Sequence, residues 1–153
     1  MRLILGMLLV AATSLACDGP PAAPSSPRPV PVTEAASAAD GSTLKVTAPA
    51  PQQPASGSVT SSLTPNLVIA NSTFRFLGDV AFVRTLQYRF VVETSAGSVV
   101  SDVVTGAGVE LTGSRVPAGA LLPQTVYRWR VRAELGSAFG PWSSYSTFTT
   151  PKS

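Results

Sequence analysis

Tyr127-Arg128-Trp129-Arg130-Val131-Arg132-Ala133 decides the fold. Apolar side chains alternate here with three arginines, and a period of two puts an aromatic and aliphatic row on one face of a β-strand and a cationic row on the other. Such a strand has one buried face, so the chain must supply other strands to cover Tyr127, Trp129, Val131 and Ala133. Everything after residue 43 reads as those strands, and everything before it reads as an address and a tether.

Working outward, Leu86-Gln87-Tyr88-Arg89-Phe90-Val91-Val92-Glu93 carries the same alternation, with Leu86, Tyr88, Phe90 and Val92 inward and Gln87, Arg89 and Glu93 outward. It is the natural partner of the deciding stretch. Ala96-Gly97 turns the chain into Val99–Val104, Gly106 and Gly108 turn it again, and Val109–Val116 supplies a further irregular strand. Leu67–Ala70 after Pro65 reads as a short buried strand, and Tyr145–Thr149 as the last. Leu44–Thr47 begins the first strand, and Pro49, Pro51 and Pro54 confine that segment to a sheet edge. No helical period is sustained for the ten or more residues a helix requires. The expected class is all-β.

Leu121, Pro123, Thr125, Tyr127, Trp129, Val131 and Ala133 fall at the spacing of the Leu-x-Pro-x-Thr-x-Tyr-x-Val-x-Val-x-Ala run of fibronectin type III domains, with Trp129 at the first Val. The resemblance extends from about residue 44 to 152. It implies a single immunoglobulin-like β-sandwich of about seven strands over 44–153, with Tyr127 in the tyrosine-corner role, its hydroxyl bonded to the backbone of the preceding turn. The family buries a Trp at the end of its second strand, where this chain has Asn71, and Trp129 is expected to fill that volume. Trp142-Ser143-Ser144-Tyr145-Ser146 resembles the Trp-Ser-x-Trp-Ser motif of cytokine-receptor fibronectin type III domains, with Tyr145 in place of the second Trp. A polyproline-like turn favoured by Pro141 would bring Trp142 and Tyr145 to one face, between Arg128, Arg130 and Arg132. The same outward residues, with Arg89, are the candidate binding face for a carbohydrate or anionic polymer.

Upstream, residues 1–16 carry one positive charge and then an apolar run ending in small residues, as a secretory signal does. The run is too short for a membrane span, which needs roughly 20 apolar residues. Thr13-Ser14-Leu15-Ala16-Cys17 resembles the lipobox of bacterial lipoproteins, with Ser14 where Leu is usual. That resemblance implies cleavage before Cys17, acylation of Cys17 by palmitate-like chains, and a membrane anchor in a bacterial cell envelope, periplasmic or at the surface. Residues 17–43 then read as a Pro/Ala/Ser-rich linker, semi-rigid where Pro20, Pro21, Pro24, Pro27, Pro29 and Pro31 cluster.

Composition bounds the function. The 153 residues are 12% charged with a net charge of +3, far below the Lys/Arg loading of a phosphate-tracking surface, so nucleic acid is not an expected partner. There is no histidine, and Cys17 is the only cysteine, which takes away the commonest general base and metal ligand and any internal disulfide. Asp79, Glu93, Asp102, Glu110 and Glu134 are scattered, with no acid and base pair on one strand or turn. Asn71-Ser72-Thr73 reads as a polar loop cluster. No phosphate loop or nucleophile elbow is present. No enzyme, cofactor or metal is expected. Two readings stand side by side: a lipid-anchored structural or protein-interaction module, and a glycan- or polyanion-binding module.

Overall fold

The computed structural model describes residues 38–74 and 86–152; residues 1–37, with Cys17, and the segment 75–85, with Asp79, lie outside the described residues. Strand β7, Val126–Leu135, buries Tyr127, Trp129, Val131 and Ala133 and turns its arginines to the opposite face. It pairs antiparallel with β4, Gln87–Thr94, in a register that sets Phe90 opposite Val131 and Val92 opposite Trp129. The two apolar rows therefore lie side by side on one face of the sheet.

On its other side β4 pairs with β5, Val99–Gly106, through a tight hairpin in which Gly97 has φ 91° and donates to the Thr94 carbonyl. A left-handed backbone of that kind favours glycine. β7 pairs on its second side with β9, Ser146–Thr149, and near its end with the two-residue β8, Ala138–Phe139. The two-residue β2, Ser58–Val59, adds in parallel to β9. The second sheet is three-stranded, with β3, Asn66–Ala70, between β1, Ala50–Gln53, and β6, Leu111–Arg115. Leu67 and Ile69 of β3 join Tyr88, Phe90, Val92, Trp129, Val131 and Phe148 in one apolar core between the sheets. The architecture is an all-β sandwich of two sheets.

Aromatic side chains dominate this core. Trp129 is wholly buried, and its ring stacks on Phe90 with centroids 6.2 Å apart and planes 18° from parallel. Tyr127 packs on Phe148, and its hydroxyl accepts a 2.9 Å hydrogen bond from the Leu122 amide in the turn that feeds β7. Tyr88 reaches across to accept from the Ser72 amide at 2.8 Å, and burial pushes its phenol above the ordinary value. In both tyrosines the ring fills core volume while the oxygen satisfies an amide at the rim.

The first strand differs from the sequence expectation. Leu44–Thr47 forms only a single bridge, Val46 to Phe74, and the ladder with β3 is made by Ala50–Gln53. Val46 is instead a buried plug at the end of the core. Pro51 is tolerated because β1 has a neighbour on one side only, so alternate residues need no ladder donor. The chain joins the sandwich at Thr43 and Leu44, whose amides both donate to the Phe139 carbonyl at 2.9 Å. β6 is also shorter than expected, and Val109 and Glu110 belong to the loop before it. Tyr145 precedes β9 rather than opening it.

Candidate functional site

The outward face of the large sheet carries the candidate residues. Register places Glu93 opposite Arg128, Val91 opposite Arg130, Arg89 opposite Arg132 and Gln87 opposite Glu134. Val91 is buried although it points away from the core, standing between Arg130 of β7 and Asp102 of β5.

That segment, 140–145, returns along β7 without joining it as a regular strand. Gly140 donates to the Ala133 carbonyl, Ser143 to the Val131 carbonyl, and Ser146 pairs with Trp129, so the segment advances three residues for every two of β7. A step of three residues is the period of the polyproline-like turn that the sequence led us to expect. Ser143 fastens it again, its hydroxyl accepting from the Val131 amide at 3.1 Å and donating to the Ser144 carbonyl. Gly140 is required by close approach: a Cβ there would lie 2.6 Å from a Val46 methyl.

The three-residue repeat delivers one ring per turn to the arginine row. Arg128 lies over Tyr145 with its guanidinium carbon 4.4 Å from the ring centre, and Arg130 lies over Tyr145 at 5.0 Å and over Trp142 at 4.5 Å. Arg132 lies over Trp142 at 4.7 Å and over Phe139 at 4.4 Å. The contacts alternate Arg128, Tyr145, Arg130, Trp142, Arg132, Phe139. Phe139, at the start of the row, escaped the sequence reading, yet Phe139, Trp142 and Tyr145 recur at intervals of three in the sequence and signal it.

Carboxylates complete the face. Glu93 lies on the outward face as expected, yet it is only 4% exposed. Its Oε2 accepts from Arg128 Nε at 2.9 Å and lies 2.7 Å from Arg128 Nη2; Arg130 Nη2 stands 3.4 Å from Oε1, and the Tyr145 hydroxyl donates at 3.1 Å. Burial pushes the Glu93 carboxyl up, but hydrogen bonds from Arg128 and Tyr145 and the charges of Arg128 and Arg130 outweigh it and hold the group below its ordinary value. Arg89 and Arg132, directly opposed, both donate through Nε to Glu134 Oε1, at 2.9 and 2.8 Å, and Arg89 also reaches Asp102 at 2.9 Å. Its hydrogen bond to Glu134 holds Arg89 above the ordinary guanidinium value. The shared carboxylate relieves a like-charge cross-strand pair.

Four arginines thus face three carboxylates, which leaves a single excess positive charge on the face. Three of the scattered acids of the sequence, Glu93, Asp102 and Glu134, are its counterions. Asn71 is likewise occupied, its amide donating to the Gly108 carbonyl and accepting from the Thr112 hydroxyl at 2.6 Å, so it shapes the turn between β5 and β6. No group of three or more His, Cys, Asp or Glu side chains converges as a metal site among the described residues. Two open depressions, of about 310 and 360 Å³, lie beside Lys45 and Pro141 and beside Pro54 and Ser61, and none of the arginines lines either.

No protein-family model matches the chain, and no curated protein matches it. Among solved structures it is similar to an α-L-rhamnosidase from Dictyoglumus thermophilum, at 18% identity and a TM-score of 0.46, covering 70% of this chain and 13% of that one. It is similar to the fibronectin type III domain derived from human KIAA0970 protein, at 20% identity and a TM-score of 0.43, covering 71% of this chain and 74% of that one. It is also similar to the FN1-FN3 domains of chicken CNTN1, at 13% identity and a TM-score of 0.42, covering 71% and 35%. The chain therefore spans about an eighth of the rhamnosidase and about a third of the chicken fragment.

Proposed function

We propose that this chain is a non-enzymatic, lipid-anchored envelope protein that displays one β-sandwich as a structural or protein-interaction module. The observation that carries the reading is the mutual engagement of the outer face. Rings that would stack on a sugar already stack on arginines, and arginines that would take a polyanion already hold Glu93, Asp102 and Glu134. The lipobox-like stretch ending at Cys17 supports the anchor. Each buried methylene of an acyl chain adds about 0.8 kcal/mol of membrane affinity, so two or more chains hold the protein stably. Detergent phase partitioning with labelled fatty acid tests the anchor. The wild-type chain should enter the detergent phase and carry label, and Cys17→Ser should abolish both; an unlabelled, aqueous wild-type protein contradicts it.

A further inference from the structure

The edges of the two sheets are not equally protected. β1 carries Pro51 and a register shift, β2 and β8 have two residues each, and β6 has five, with Gly113 and Arg115 among them. All are blunted by shortness, proline, bulge or charge. β5 is different. It has eight residues, Val99-Val100-Ser101-Asp102-Val103-Val104-Thr105-Gly106, without lysine, arginine or proline, and among the described strands it pairs with β4 alone. The one bulge in that ladder skips Val100, so Ser101–Gly106 runs regularly with alternate backbone groups directed outward. Its single charge, Asp102, is already held by Arg89.

β5 also exposes apolar side chains of its own, Val99 and Val104. An open edge is what strand addition requires, with main-chain bonds giving affinity and alternate side chains giving selectivity.

We infer that β5 is a homotypic interface, where the β5 strands of two copies pair antiparallel about a two-fold axis at Val103 and join two large sheets into one. Charge selects this register. With Val103 opposite itself, Asp102 faces the partner's Val104 and Ser101 faces the partner's Thr105, whereas a shift that centres the axis on Asp102 opposes two carboxylates. The two-fold operation makes the contact self-complementary and closed. This names the partner left open in the interaction-module reading and rests on the sandwich alone, so it stands or falls separately from the anchor.

Sedimentation equilibrium of the full chain carrying Cys17→Ser tests it, and a dimer is expected. Val104→Asp sets a carboxylate against Asp102 of the second copy twice over and should weaken association by about tenfold or more, while Val104→Lys creates two opposite-charge pairs and should preserve or tighten it. With Cys17 removed, Val103→Cys should give an oxidised dimer, because opposed residues of an antiparallel pair stand about 4.5–5.5 Å apart at Cα, within disulfide range. Thermal melting confirms that each variant is folded. A monomer at all concentrations overturns the proposal, as does a dimer that both Val104 substitutions weaken alike.

Discussion

The guanidinium carbon of Arg130 lies 4.5 Å from the centre of the Trp142 ring, and the same group lies 5.0 Å from the ring of Tyr145. One side chain of β7 is thus held by two rings from a segment that is not part of the regular sheet. The contact fixes a loop to a strand, and it decides what the face is available for. Guanidinium and ring each satisfy the other's electrostatic demand, which is a structural use of both.

Glu93 is the keystone beneath this row. Glu93→Gln removes the charge that Arg128, Arg130 and the Tyr145 hydroxyl converge on and keeps the volume. The arginines remain about a third exposed, which limits the loss to roughly 1.5–3 kcal/mol, the range for hydrogen bonds to charged groups. Urea denaturation at neutral pH measures it; a change under about 0.5 kcal/mol would place Glu93 among ordinary surface residues.

Acid should act through the same carboxylate. Its folded-state pKa lies below the ordinary 4.5, so its contribution to stability is complete above that value and is lost as pH falls through the folded pKa. Denaturation midpoints followed from about pH 7 to about pH 3 should drop at the acid end in the wild type and drop less in Glu93→Gln. Equal acid sensitivity in the two proteins would assign the effect to other groups.

The core makes a separate prediction. Trp129→Ala empties the largest fully buried side chain and should cost about 3–5 kcal/mol, whereas Tyr127→Phe removes the hydrogen bond to Leu122 and should cost nearer 1 kcal/mol. The melting temperatures should rank wild type, then Tyr127→Phe, then Trp129→Ala. An unshifted Trp129→Ala protein would be incompatible with the β7 register.

Where one physical demand acted alone, the sequence was readable. The parity of β7 and β4 follows from burial of one face, and it located Tyr88, Phe90, Tyr127, Trp129 and Val131 correctly. Two demands compete at the first strand: Leu44 and Val46 have strand-like alternation, but Val46 is used to close the core end while Ala50–Gln53 makes the ladder. The outer face was legible in its arginines and in the spacing of Trp142 and Tyr145. Burial of Glu93 was not, because it depends on where the segment 140–145 folds back. Glu134 continues the even-numbered row of Arg128, Arg130 and Arg132 within β7, and Phe139 belongs to the three-residue row of rings; both periodicities were present in the sequence.

The most direct test of the account is Trp142→Ala, read by denaturation and by tryptophan emission in the presence of soluble glycans. Trp142 contacts two guanidinium groups, at roughly 0.5–1 kcal/mol each, so the substitution should destabilise the sandwich by about 1–2 kcal/mol, and wild-type emission should be indifferent to glycans. Unchanged stability in Trp142→Ala, together with a glycan-dependent emission shift that the substitution abolishes, would contradict the structural role and make this face a carbohydrate-binding surface.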